Sequence, residues 1–176
     1  MEHEYGLFLG RFQPFHDGHA AIAAGALKKC RHLIIAVGSA QESRTKRNPL
    51  TYYERKALIK SAIFGNVDVT IVPIEDREAK LDDASWGEYV MNAIERHIGV
   101  RPTIIFEGEE VERLHWYDSL DVEVQTCDRN LNTISATKVR QMLLEDDRDG
   151  FAWNMPCGTW GFYDELRKIM LEVYHD

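Results

Sequence analysis

Cysteine is scarce in this chain. Cys30, Cys127 and Cys157 are odd in number, far apart and never in Cys-x-x-Cys spacing, so neither a disulfide framework nor a structural zinc site is expected, and the thiols should be reduced. No apolar run approaches membrane-spanning length, and Met1 to Glu4 lacks the basic and apolar regions of a secretory signal. These absences lead to the expectation of a cytoplasmic protein with no membrane partner. Positive charge is also in deficit: 21 Lys and Arg stand against 29 Asp and Glu, for a net charge of -8. That balance argues against nucleic acid as a partner, because nonspecific affinity for it depends on many Lys/Arg contacts to phosphate. The chain has no Gly-x-Gly-x-x-Gly fingerprint, no Gly-x-x-x-x-Gly-Lys-[Ser/Thr] loop and no Gly-x-Ser-x-Gly elbow, which removes three common catalytic scaffolds. There is no internal repeat or low-complexity segment, and 176 residues suit one domain over 1–176, with a closing helical segment at 151–176 packed on it.

What positive charge there is falls in clusters: Arg11 early, then Arg44, Lys46 and Arg47, then Lys138 with Arg140. Focused cations on an acidic body suit a small phosphorylated ligand. Strands are expected at Leu7 to Leu9, at Leu33 to Val37, which is apolar throughout like a strand buried on both faces, at Val67 to Ile74, at Thr103 to Phe106 and at Val122 to Cys127. Helices are expected over His19 to Lys29, from the capping box Thr51-x-x-Glu54 to about Phe64, and from a second box, Ser85-x-x-Glu88, to about Ile98 with Gly99 as its stop. Two more follow at Thr137 to Glu145 and Gly161 to Tyr174, with a loop over Glu75 to Ser85 and a turn or short helix around Val111 to Tyr117. The alternation predicts an α/β, Rossmann-like doubly wound parallel sheet of about five strands with helices on both faces. The polar clusters at Arg11 to His19, Ser39 to Arg47, Glu75 to Trp86 and Glu107 to Glu110 each follow a strand. They should meet on the rim beyond the strands' carboxyl ends, where such sheets bind ligands.

The densest of these clusters is Gly6 to His19, a strand, a tight turn and a helix start. The first turn of such a helix presents unpaired N–H groups and a positive dipole end, and here it also carries Arg11, His16 and His19. Histidines three apart at a helix entrance stack on one side, where both can donate to one row of phosphate oxygens. A second anion site is written late in the chain. Ser135 and Thr137 open a helix that carries Lys138 and Arg140 one turn in.

The string Gly10-Arg11-Phe12-Gln13-Pro14-Phe15-His16-Asp17-Gly18-His19 resembles the nucleotidyltransferase superfamily, whose His-x-Gly-His signature binds nucleoside triphosphate phosphates. More narrowly, it is similar to the archaeal-type nicotinamide mononucleotide (NMN) adenylyltransferases. Further segments match in order: Gly38-Ser39-Ala40-Gln41, Arg47-Asn48-Pro49-Leu50-Thr51 with Glu54-Arg55, Val72-Pro73-Ile74-Glu75-Asp76 followed by Trp86, and Ile134-Ser135-Ala136-Thr137-Lys138-Val139-Arg140. Leu50, where that family usually has Phe, and the acidic run Glu107-Gly108-Glu109-Glu110 depart from it.

The resemblance implies conversion of ATP and NMN to NAD and pyrophosphate, with Mg2+ held mainly by ATP phosphates and no protein metal ligands. ATP would be bound by Gly10, Arg11, Phe12, Gln13, His16, His19, Ser135, Thr137 and Arg140. Of these, His16, His19, Arg140 and Arg11 would handle the reacting charge. NMN would be bound by Ser39, Gln41, Arg47, Asp76 and Trp86, with the Trp86 indole stacking on nicotinamide. The alternatives are transfer of an adenylyl or cytidylyl group to another phosphorylated acceptor, such as phosphopantetheine or FMN, and a nucleotide-sensing module without turnover. The sequence leaves a homo-oligomer open.

Overall fold

A computed structural model describes residues 1–63, 65, 66, 68–77, 83–108, 116–127 and 133–175. Five parallel strands form one sheet in the order β3-β2-β1-β4-β5, with β1 at His3–Gly10, β2 at Cys30–Val37, β3 at Val69–Pro73, β4 at Ile104–Gly108 and β5 at Glu123–Cys127. Pairings such as Leu7 with Ile34 and Gly6 with Ile104 fix the register at the centre. The strand order reverses between β1 and β4, which opens a crevice at their carboxyl ends.

Alternation along the strands sorts the core into two layers. Phe8, Leu33, Ile35, Val37 and Phe106 turn to one face with Ile22 and Ala26 of α1 (Asp17–Ala26) and Ile59 of α2 (Tyr52–Ala62). Leu7, Ile34, Ala36 and Ile105 turn to the other with Val90, Met91 and Ile94 of α3 (Asp83–Ile98). Each fully buried Leu or Ile contributes about 1.5–3 kcal/mol, and a β2 buried on both faces explains its unbroken apolar run. The doubly wound parallel sheet is therefore the architecture expected from the alternation. A third cluster joins Leu50 and Leu58 to Val139 and Leu143 of α4 (Ala136–Glu145), Phe151 of α5 (Arg148–Asn154) and Leu166 of α6 (Tyr163–Tyr174). It packs α5 and α6 against α2 and α4.

Several boundaries differ from expectation. α1 begins at Asp17 rather than His19, because His16 is its cap. The Thr51–Glu54 capping box forms, but the one expected at Ser85–Glu88 does not. α3 already runs from Asp83, and Ser85 lies inside the first turn rather than at the cap. Gly99 ends α3 with φ of +72°, a conformation that favours glycine. α5 went unpredicted because it is short and buries only Phe151. The expected closing helix from Gly161 divides into a 3-10 turn, Cys157–Phe162, and α6. Phe64, Val67, most of the Val111 to Tyr117 segment, the middle of the Glu75 to Ser85 loop and Glu109–Glu110 lie outside the described residues. The three cysteines are free thiols, and among the described residues no helix is long and apolar enough to cross a membrane.

Candidate active site

A methyl group at Gly10 would sit 2.8 Å from the Phe12 ring, so glycine at the end of β1 lets that ring fold back under the strand. Phe12 takes φ of 52°, the Gln13–Pro14 peptide is cis, and Phe12 and Phe15 are buried. These rings anchor the loop in the core. His16 Nδ1 accepts from the Gly18 N–H at 3.1 Å, and His19 Nδ1 accepts from the His16 N–H at 3.2 Å. The pair is a capping box in which two imidazoles replace the usual hydroxyl and carboxylate. Their rings stack at 3.8 Å, tilted by 21°, as the three-residue spacing predicts.

Acceptance at Nδ1 puts each ring proton on Nε2. Both histidines are thus Nε2–H donors at a helix N-terminus, where the dipole favours an anion. The rings of Phe8, Phe12 and Phe15, with centroids 6.1, 4.9 and 5.4 Å from that of His19, further fix its orientation. Burial pushes the carboxyl of Asp17, between the two histidines, above its ordinary 3.8.

The second loop is fastened to the first by Gln13, whose buried amide donates to the Leu50 carbonyl at 3.1 Å and accepts from the Leu50 N–H at 2.9 Å. Arg55 completes the junction from α2. It is fully buried and donates to the carbonyls of Arg11 at 2.9 Å, Gly38 at 2.8 Å, Ser39 at 3.1 Å and Thr51 at 3.2 Å. One guanidinium therefore closes the ends of both β1 and β2. Burial pushes its pKa down to about 10, against the favourable charge of Glu54, and it remains protonated at neutral pH.

Arg44 does not belong to the cationic cluster in the sense expected. Its guanidinium grips Glu54 at 2.6 and 2.8 Å and the Pro49 carbonyl at 2.9 Å, and the Glu54 hydrogen bond is the main reason its pKa is raised. Its charge is spent on folding the loop. Burial pushes Glu54 upward, but Arg44 and Thr51 outweigh it and hold the carboxyl below its ordinary 4.5. Arg47, by contrast, is exposed and makes no hydrogen bond or ion pair among the described residues. The buried Oδ1 of its neighbour Asn48 has no hydrogen-bond partner among the described residues.

The late motif meets the first loop directly. Arg140 Nη1 donates to the Gln13 carbonyl at 2.8 Å, its Nη2 to Thr137 Oγ1 at 3.3 Å and its Nε to the Tyr174 hydroxyl at 3.1 Å. Ser135 caps α4 by accepting from the Lys138 N–H at 3.2 Å, and the Lys138 ammonium turns back to the Thr133 carbonyl at 3.1 Å. Arg140 thus lies against the first loop, while Lys138 closes the turn before its own helix.

At the ends of β2 and β3, Ser39 takes φ of 46° and is buried. Gln41 and Asp76 pair reciprocally, through Gln41 Nε2 to Asp76 Oδ2 at 3.1 Å and the Asp76 N–H to Gln41 Oε1 at 3.0 Å. Trp86 is half-buried and leans on Tyr89, ring centroids 5.2 Å apart, while the Tyr89 hydroxyl donates to the Glu75 carbonyl at 2.8 Å. Glu107, at the end of β4, accepts from Tyr117 at 2.6 Å and Thr126 at 3.1 Å.

A family model described as cytidylyltransferase-like matches residues 7–142, the span from the first loop through Arg140. A nicotinamide-nucleotide adenylyltransferase of Thermococcus kodakarensis is 31% identical over 172 residues, covering 93% of this chain and 84% of that one. The chain belongs to the nicotinamide-nucleotide adenylyltransferase family. Another such adenylyltransferase, from Sulfurisphaera tokodaii, is 31% identical over 173 residues, covering 92% of this chain and 91% of its own. The crystal structure of a bifunctional NMN adenylyltransferase/ADP ribose pyrophosphatase from Francisella tularensis, complexed with AMP and a manganese ion, superposes with a TM-score of 0.77 at 22% identity. It shares the fold over 98% of this chain, which spans 52% of that longer protein.

Two residues that fasten these loops escaped the sequence reading. Arg55 sits inside the matching Glu54-Arg55 segment, and its helical phase was the available signal, since it shares the inward face of α2 with Leu58 and Ile59. Tyr174 gave no signal. It lies 34 residues from Arg140 in an amphipathic helix, and only the fold brings them together.

Proposed function

We propose that this chain transfers the adenylyl group of ATP to NMN, forming NAD and releasing pyrophosphate. The observation that carries the reading is the hydrogen bond from Arg140 Nη1 to the Gln13 carbonyl, 2.8 Å long, which joins the two anion-binding motifs into one cradle. The His16 and His19 Nε2–H groups and Arg140 take the β- and γ-phosphates, with Gly10, Phe12, Gln13, Ser135 and Thr137 shaping the cradle. Arg11 and Arg47 hold phosphates at the junction of the substrates. Ser39, Gln41, Asp76 and Trp86 line the acceptor side, and the indole stacks on the nicotinamide ring.

An oxygen of the NMN phosphate attacks the α-phosphorus, the bond to the oxygen bridging α and β breaks, and its electron pair leaves on pyrophosphate. The nucleophile is already an anion at neutral pH, so no general base is required. The residues contribute position and charge stabilisation. Neutral imidazole donors suit this task, because they stabilise growing charge on the leaving group without releasing a proton.

Among the described residues no three His, Cys, Asp or Glu side chains converge as a metal cage. In this reading Mg2+ would be carried on triphosphate oxygens and water, where it would neutralise phosphate charge. Free thiols, two of them buried, suit a reducing compartment, and the reading places the reaction in the cytoplasm.

The test is incubation of purified protein with Mg-ATP and, in parallel, NMN, nicotinate mononucleotide, FMN and phosphopantetheine, following pyrophosphate and dinucleotide. NAD formed from NMN is the expected result. Release of pyrophosphate only with FMN or phosphopantetheine, or with no acceptor, refutes the reading.

A further inference from the structure

Several arginines in this protein are tied to carboxylates: Arg44 to Glu54, Arg101 to Glu88 and Glu95, Arg148 to Asp164. Arg140 is held differently. Among the described residues its partners are a carbonyl, a threonine hydroxyl and the phenol of Tyr174, all uncharged. Such acceptors orient a guanidinium without neutralising it, and since Arg has five N–H groups, one on each Nη stays available to an anion.

The phenol, 34 residues from Arg140 in sequence, is the most constrained of these partners. Tyr174 donates its own proton to the Lys46 carbonyl at 2.8 Å, so its oxygen is left to accept the Arg140 Nε–H. The Lys46 ammonium also lies 5.9 Å from the centre of the same ring. The Lys46 carbonyl belongs to the peptide that leads into Arg47, the exposed cation of the second loop. A single hydroxyl at the end of α6 therefore touches the triphosphate arginine through its side chain and the acceptor loop through its backbone.

We propose that Tyr174 is a positioning residue that aims Arg140 at the triphosphate and holds the acceptor loop in step with it. The proposal rests on the reading of Arg140 as a triphosphate ligand. Y174F keeps the ring and removes both hydrogen bonds, and loss of a hydrogen bond to a charged group corresponds to roughly tenfold weaker ATP binding. Tyr163 supplies the control. Its hydroxyl donates to Asp146 at 2.8 Å within the same helical cluster, so Y163F loses a comparable bond without touching Arg140.

The experiment is calorimetric titration of a non-hydrolysable ATP analogue into wild type, Y174F, Y163F, R140A and Y174F/R140A, with R140K and Y174F/R140K as the milder cycle and melting temperatures recorded for all. The expected result is weakened binding in Y174F and unchanged binding in Y163F, with the effect of Y174F vanishing once Arg140 is replaced. Wild-type binding by Y174F, equal weakening by Y163F, or an effect of Y174F that persists beside R140A overturns the proposal. Unchanged binding by R140A itself overturns the reading of the triphosphate site, and the proposal with it.

Discussion

His19 does two jobs with two different ring atoms, and amide side chains can separate them. Nδ1 accepts the His16 N–H at 3.2 Å and closes the cap of α1, while Nε2–H is the donor assigned to the triphosphate. Loss of a cap costs about 0.5–2 kcal/mol of stability. Loss of a preorganised donor to developing oxyanion charge costs about 2.7–4 kcal/mol of transition-state stabilisation, or a factor of about 10²–10³ in kcat. Asparagine places its carbonyl oxygen where Nδ1 stands but reaches no further. H19N should therefore keep most of the melting temperature and lose most of kcat. Glutamine reaches the Nε2 position with an amide N–H but leaves the His16 N–H without its acceptor, so H19Q should melt earlier and keep more of kcat. Calorimetric melting and steady-state pyrophosphate release measure the two effects independently. H19N with kcat within about threefold of wild type, a change of under about 1 kcal/mol, would refute the donor role. H19A cannot make the distinction, since it removes both functions together.

Arg55→Met leaves the carbonyls of Arg11, Gly38 and Ser39 without their donor at about 1–3 kcal/mol each, partly offset by relief of the burial that pushes the arginine down to about 10, for a net loss of about 3 kcal/mol. Urea denaturation should show that loss, and KM should rise for both substrates because both loops hang on this group; a rise for one alone would contradict its place as their common anchor. Trp86→Ala should raise KM for NMN much more than for ATP, whereas an unchanged NMN KM would show an indole that only packs on Tyr89. Glu54 is held below its ordinary 4.5 by Arg44 and Thr51 despite burial, so its contribution to stability is full above that value and disappears as pH falls through the lowered pKa of the folded state. Melting temperatures between about pH 3 and 6 should converge for wild type and E54Q at the acid end, and parallel curves would remove Glu54 from the acid response.

The sheet and the two anion motifs were legible because both are local patterns. β2 displays its double burial as Leu33 to Val37, and the His16–His19 spacing alone predicts stacked rings. The pairing that turns those motifs into a site was not legible. Gln13 reaches Leu50 across 37 residues, and Arg140 reaches Gln13 across 127; a linear reading has no term for such distances. It also counted Arg44 among the clustered charges open to a ligand. Arg44 and Arg47 stand three apart in one basic loop, yet Arg44 is consumed by Glu54, ten residues on, because the capping box at Thr51 points that carboxylate back toward the loop. The misplaced start of α3 has a related cause. Ser85-x-x-Glu88 satisfies the capping pattern, but the stripe of Trp86, Tyr89, Val90 and Ala93 that packs on the sheet extends the helix past it.

The division of labour among the arginines follows from electrostatics rather than from position in the chain. A guanidinium paired bidentately with a carboxylate presents little net field, and a phosphate would have to compete with that carboxylate for the same N–H groups. Arg44 is such a group, and Arg55 is sealed from any ligand by full burial. These two build the loops. Arg140, fastened by neutral oxygens, and Arg47, exposed on the fastened loop, retain their charge. On a body of net charge -8, retained positive charge at one rim focuses the field on anions that enter the crevice. If that separation governs binding, transplanting a carboxylate beside Arg140 should imitate Arg44. T137E puts an acid three residues before it, in place of the hydroxyl that Nη2 now meets at 3.3 Å. An exposed helical pair of this kind adds only a few tenths of a kcal/mol to stability, so the fold should be kept while ATP affinity falls steeply. Undiminished affinity in T137E would mean that the charge on Arg140 is not what the triphosphate reads.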